Sequence, residues 1–264
     1  YAPLIAEVLP RHGLPFYLSR PLAAAPCIGA VLAILDLVLE RYSRPALLRL
    51  LCLPWFRLRY PYEGQSIELS ADDFDAWARN LPPTTGRREW LEAIGGRCAY
   101  LERELAQADG PVSEEIDDPQ AWRESLRGDL DALRPLQEGL NALFGLLRPL
   151  ERRQALPVFR QHLLHALGEL GLVEKLISSA TADRGAEDGR ALARLLELLD
   201  ELCAPTAALR PRTLGQFAEL LRDAIAQAYY PDDEEKAERG LEYLRENVKY
   251  DLDEQARAGF RKFL

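Results

Sequence analysis

The chain belongs to the mainly α class, a multi-helix fold with one short β-strand near the N-terminus, and three observations predict this. Leucines and other apolar residues recur at spacings of three and four through most of the 264 residues, which is the period of helices that bury one face. Ser or Thr precedes three of these runs, at Ser43, Ser70 and Thr213, and Pro stands in the first turn of two runs, at Pro3 and Pro45, both signatures of helix starts. Val and Ile are too thinly spread to form the β-branched runs of a parallel sheet, which excludes doubly wound and barrel architectures. A hydrophobic fraction of 48% over this length gives an ordered chain with a sizeable core.

The elements follow in order. Leu4, Ile5, Val8 and Leu9 share a face of a short helix with Pro3 in its first turn and Gly13 as its stop. Pro15 drives Leu14 away from helix, so Leu14 to Leu18 is the expected strand. Pro21 to Pro26 is a turn, and Cys27 to Arg41 a helix apolar nearly all round, hence buried on more than one side. Ser43 caps a helix with Pro45 in its first turn, Pro54 ends it, and WFRLRYPYEGQ is an irregular or short extended link. Ser70 caps the next helix, with acid in its first turn. GRREWLEAIGGRCAYLERELAQA turns Trp90, Ile94, Ala99 and Leu101 inward, and Gly95 and Gly96 weaken its middle.

Asp109 to Asp118 is an acidic linker, dividing the chain into an N-terminal helical part (1–108, with the strand 14–18) and a C-terminal helical bundle (119–264). Trp122, Leu126, Leu130 and Leu133 form one stripe of the bundle, and Phe159, Leu163, Leu167 and Leu170 another. Ser178 to Gly189 is a surface loop, after which Leu192, Leu195, Leu199 and Leu202 resume the pattern. Thr213 caps a helix with Phe217, Leu220, Leu221 and Ile225 inward, and a charged helical tail packs at the periphery.

Charge and cysteine usage bound the function. With 33 Lys+Arg against 42 Asp+Glu the net charge is -9, which excludes a large nonspecific nucleic-acid surface while leaving room for a local one. Lysine is confined to Lys175, Lys236, Lys249 and Lys262, so arginine carries nearly all the positive charge. Cys27, Cys52, Cys98 and Cys203 are widely spaced without a CxxC pair, the pattern of buried reduced thiols in an intracellular, cytoplasmic protein. The longest greasy run, Cys27 to Leu39, is shorter than the roughly 20 residues that span a bilayer and contains Asp36. The chain has no Met and opens without a secretory signal, as expected of a processed product or a segment of a longer protein.

No nucleotide-binding, metalloprotease or nucleophile-elbow motif is present, and no catalytic, cofactor or metal residue is assigned. His162 and His165 have a spacing compatible with two metal ligands, completed by Glu169, but line the polar flank of a leucine-rich helix equally well. The runs Asp72 to Asp75, Glu114 to Asp118 and Pro231 to Glu235 lack cation-loop spacing and read as helix caps and solvated acid faces. In WFRLRYPY, Arg57 and Arg59 project one way from an extended segment and Leu58 the other, beside Tyr60. Such a strand contacts a nucleic-acid backbone or stacks a base, or else plugs the edge of a core. Arg210 and Arg212 in RPRT make a smaller patch. Arg57, Arg59, Tyr60, Arg210 and Arg212 are the candidate DNA contacts.

A family resemblance adds to this. The run from Tyr1 to Phe56 resembles the region after motif IV in UvrD-like helicases and, more closely, the matching region of the AddB subunit of bacterial helicase-nucleases; it is carried by Gly13, Leu14, Pro15, Phe16, Pro21, Leu22, Pro26, the helix Cys27 to Arg41, and Pro54. FDAWARNLPPTTGRREWLEAI, with Gly86 and Trp90, and LGQFAELLRDAI are similar to later segments of the same family. The resemblance implies a noncatalytic helical insertion domain of an ATP-dependent helicase-nuclease that resects DNA ends in double-strand break repair. Leu14 to Leu18 would then be the last strand of a helicase-like sheet, with Gly13 and Pro15 as hinge residues. The implied partners are DNA, reached through the parent protein, and a helicase-nuclease partner subunit; no cofactor or membrane is implied. The chain has none of that family's Walker motifs, arginine finger or nuclease carboxylates. The alternative is an autonomous helical scaffold that binds another protein through leucine faces between Trp122 and Ile225.

Overall fold

The computed structural model describes residues 19–82, 84–108, 118–172 and 183–231, with Val8 and His12 besides. The strand 14–18, the charged tail and all but Val8 of the expected helix over Leu4 to Leu9 lie outside the described residues. Eight α-helices dominate what is described, so the mainly α class holds. The expectation of a single strand does not: four short strands form two two-stranded antiparallel pairs. The fold divides into two units, one drawing on Tyr1–Leu35 and Leu150–Leu264 and the other on Asp36–Pro149.

The described part of the first unit includes β1 (Ser19–Pro21), a single 3-10 turn at Leu22–Ala24, and α1 (Pro26–Leu39) as far as Leu35. Cys27, Ile28, Val31, Ile34 and Leu35 of α1 are all buried, as its all-round apolar sequence requires. From Leu150 onward the unit contains α6 (Leu156–Glu169), α7 (Asp183–Cys203), α8 (Leu214–Gln227) and β4 (Tyr229–Pro231). Phe159 of α6 and Phe217 of α8 stack at its centre, ring centroids 4.9 Å apart. Thr213 caps α8 with a complete capping box, its hydroxyl accepting from the Gln216 amide while the Gln216 side chain accepts from the Thr213 amide.

The first and last described strands of this unit lie side by side. β1 and β4 pair antiparallel with Arg20 opposite Tyr230, and the pairing continues where the Leu22 amide donates to the Ala228 carbonyl at 2.9 Å.

The second unit holds α2 (Arg44–Leu51), β2 (Arg59–Tyr62), β3 (Gln65–Glu68), α3 (Ala71–Ala78), α4 (Arg87–Ala108) and α5 (Pro119–Leu147). The caps at Ser43 and Ser70 form, their hydroxyls accepting from the amides of Ala46 and Asp73. Asp118, the one described residue of the acidic stretch, caps α5 by accepting from the amides of Gln120 and Ala121. The helices on either side of that stretch, α4 and α5, pack together within this unit, tied by Arg134 and Glu102 at 2.7 Å. An aromatic cluster fills the core: Tyr42 meets Phe144 edge-on at 4.9 Å, Phe74 lies 5.3 Å from Trp90, and the Trp90 indole donates to the Tyr42 carbonyl at 2.7 Å.

Several expectations are corrected. WFRLRYPYEGQ contributes a true hairpin, β2–β3, because Glu63 and Gly64 take φ of 48° and 79° and close a two-residue turn with both central residues left-handed. Ala99 is exposed and Cys98 buried in its place, since 90, 94, 98 and 101 keep the helical period that 99 breaks. α4 runs unbroken through Gly95 and Gly96. Trp122, Leu202 and Leu220 sit half-exposed at the margins of their stripes. Residues 183–189 of the expected loop are helical, because Asp188 and Gly189 are buried in the packing of the first unit. Cys52 is exposed and Cys203 half-buried, so only Cys27 and Cys98 fit the expected buried thiols; all four are free.

Candidate nucleic-acid interface

The hairpin separates its residues by strand alternation. Leu58, Tyr60 and Leu69 point inward and are buried, while the outer face carries Arg57, Arg59, Pro61, Ser66 and Glu68. The expected common direction of Arg57 and Arg59, opposite to Leu58, is present. Their field is reduced, however: the Arg57 Nε is 3.4 Å from a Glu68 carboxylate oxygen, and Arg59 stands directly opposite Glu68 in register.

Tyr60 does not stand on that face. Its side chain is buried against α5 and its hydroxyl donates to the Pro135 carbonyl at 2.7 Å. It plugs the core and presents no ring for a base to stack on.

Arg210 and Arg212 lie more than 140 residues further on and belong to the first unit. An isolated antiparallel bridge joins Arg212 to Gln154: each amide donates to the other residue's carbonyl, at 2.8 and 3.0 Å. The bridge brings the exposed pair Arg152 and Arg153 beside the RPRT segment, an association that sequence reading missed because the two stretches are nearly 60 residues apart. Arg–Arg immediately before one helix and Arg–Pro–Arg immediately before another was the available signal.

The remaining candidates are structural. His162 and His165 are both half-buried on α6, and no group of three or more His, Cys, Asp or Glu suited to a metal occurs among the described residues. Burial, then His165 and the charge of Arg152, hold His162 below the usual imidazole range. Asp72 and Asp73 occupy the first turn of α3, and Asp75 is held by Arg44 and Arg79, whose hydrogen bonds lower its carboxyl. Pro231 to Glu235 falls outside the described residues apart from the end of β4.

One polar cluster had no counterpart in the sequence reading. Arg20 of β1 and Tyr230 of β4 both hydrogen-bond the same Oε1 of Glu187 on α7, the tyrosine at 3.0 Å, and the Cys27 thiol donates to the Asp188 carbonyl at 3.4 Å. It ties the β1–β4 ribbon to the helical body. Burial first, and then the Glu187 carboxylate, push the Tyr230 hydroxyl up, and burial does the same to the Cys27 thiol, so neither is an activated nucleophile.

These features define a mainly helical, two-unit protein with arginines displayed at two places, and no helix among the described residues is long and apolar enough to cross a membrane. No protein-family model matches the chain, and no curated protein matches it.

Proposed function

We propose that the chain is a noncatalytic helical insertion domain of an AddB-like or UvrD-like helicase-nuclease, where it positions DNA or a partner subunit during double-strand break repair. The observation that carries this reading is the β1–β4 ribbon, with Arg20 opposite Tyr230. A domain inserted into another must receive and return the chain at neighbouring points, and here the two strands that bound the described helical body are hydrogen-bonded neighbours. The Arg20–Glu187–Tyr230 cluster fastens that ribbon to the body, as a domain that transmits position to its host requires.

The scaffold alternative draws less support. Leu126, Leu130, Leu133, Leu163, Leu167, Leu195 and Leu199, the faces it would offer, are all buried within the chain.

Purified protein tests the reading. It is expected to hydrolyse no ATP, to cleave no DNA in magnesium, and to bind DNA in a manner that weakens with salt. DNA cleavage that co-purifies with the chain through stringent fractionation overturns it.

A further inference from the structure

The Gln154–Arg212 bridge gathers four arginines from two segments: Arg152, Arg153 and Arg210 are exposed, and Arg212 is half-buried. Elsewhere in the same unit arginines are matched to acids, Arg160 to Asp200 at 2.8 Å and Arg194 to Glu197 and Glu201 at 2.8 and 2.9 Å. The four at the bridge form no ion pair among the described residues, and the buried Nε of Arg212 has no hydrogen-bond partner. Only Glu151 adjoins them in sequence as an opposing charge.

The backbone adds to this positive field. Gln154 and Arg212 each stand two residues ahead of a 14-residue helix, α6 and α8, so the positive ends of two helix dipoles adjoin the cluster. Ala155 caps α6 with no side-chain hydrogen bond. The lowered imidazole of His162, to which the Arg152 charge contributes after burial and His165, registers the same field inside α6. Leu209, 64% exposed, lies next to Arg210 and offers an apolar contact for sugar or base.

We propose that Arg152, Arg153, Arg210 and Arg212, assembled by the Gln154–Arg212 bridge at the starts of α6 and α8, form a docking surface for the phosphate backbone of a nucleic acid. Guanidinium groups bind phosphate oxygens in a forked geometry, and a protein of net charge -9 keeps such a cluster unpaired at a cost that an external polyanion offsets. The choice of a nucleic acid among polyanions rests on the DNA-positioning reading above.

The test is fluorescence anisotropy of a labelled DNA strand of about 20 nucleotides, single and duplex, with the full chain at about 50 and 200 mM salt. Contacts from four arginines predict an affinity loss of about 50- to 150-fold across that range. The triple variant Arg152→Glu, Arg153→Glu, Arg210→Glu changes only exposed side chains and is expected to weaken binding more than tenfold at the lower salt, while the corresponding lysine variant retains most of it. Circular dichroism melting checks that both fold. Binding that survives the triple variant but is lost in Arg57→Glu, Arg59→Glu overturns the docking surface and leaves the DNA-positioning reading intact. Failure of the unmodified chain to bind either DNA overturns the surface and removes DNA from that reading, leaving the partner subunit. Binding to anionic lipid vesicles with none to DNA also overturns the proposal.

Discussion

The Tyr60 hydroxyl donates to the carbonyl of Pro135 across 2.7 Å, joining the hairpin to the middle of α5. One helical turn further on, the tyrosine ring lies so near Gly139 that a Cβ there would stand 2.8 Å from Tyr60 Cε1 and 2.9 Å from Leu69 Cδ1. Hydroxyl and ring therefore grip α5 at two successive turns, and the two contacts are separable by mutation.

Tyr60→Phe keeps the ring and removes the hydrogen bond. It is expected to lower stability by about 1 kcal/mol in urea unfolding and to leave DNA affinity unchanged, because the side chain faces the core. A loss of DNA binding without a loss of stability would return Tyr60 to the interface.

Gly139→Ala sets helix propensity against packing. Alanine is favoured over glycine in a helix interior by about 1 kcal/mol, whereas forcing a methyl into a filled site costs about 1–3 kcal/mol. The ring and Leu69 are both held in the core, so packing wins and the melting temperature falls. Gly128→Ala on the same helix, with open space at its Cβ, is the control and is expected to stabilise by up to about 1 kcal/mol.

Thr213→Ala removes the hydroxyl half of the capping box that starts α8. The expected cost is about 1 kcal/mol, read as a shift in the denaturation midpoint with an unchanged slope against denaturant.

Glu187 and Asp188, adjacent on α7, predict opposite pH dependences. Burial raises the Glu187 carboxyl, but the hydrogen bonds from Arg20 and Tyr230 outweigh it and the net value lies below normal. Its ionised form thus contributes stability at neutral pH that is lost as pH falls through the folded value. Burial, followed by the Glu187 charge, raises Asp188, so its contribution is full below the unfolded value and lost as pH rises through the folded one. Thermal melts should accordingly find Glu187→Gln destabilised and Asp188→Asn stabilised at neutral pH, both effects shrinking towards the acid end of the carboxylate range. The same sign for the two variants would refute this assignment.

Thiol reactivity separates the cysteines. Cys52 is exposed, whereas burial raises both Cys27 and Cys98. A thiol reagent followed by mass spectrometry should label Cys52 in the native protein and reach Cys27 and Cys98 only with denaturant; early labelling of Cys27 would contradict its packing.

The helices were legible from residue order alone. Ser43, Ser70 and Thr213 cap where their side chains predict, and Leu126, Leu130, Leu133, Leu163, Leu167, Leu195, Leu199 and Leu221 face inward where period 3.6 directs them. Local chemistry suffices there, since a cap needs only amides two or three residues away and a helical face only its own spacing. The alternation that sets Leu58 opposite Arg57 and Arg59 was equally visible, but Tyr60 stayed open between base and core, and Glu63 did not announce the left-handed turn that makes the segment a hairpin.

Residue order could not decide which distant segments meet. Whether Tyr60 stacks on a base or plugs a core depends on Pro135, 75 positions away; whether residues 183–189 form loop or helix depends on the burial of Asp188 and on Arg20 and Tyr230; and Arg152 joins Arg212 only through the bridge at Gln154. Helical period and capping are properties of neighbours along the chain. The grip on α5, the fastened ribbon and the unpaired arginine cluster arise from contacts that only the packed tertiary structure creates.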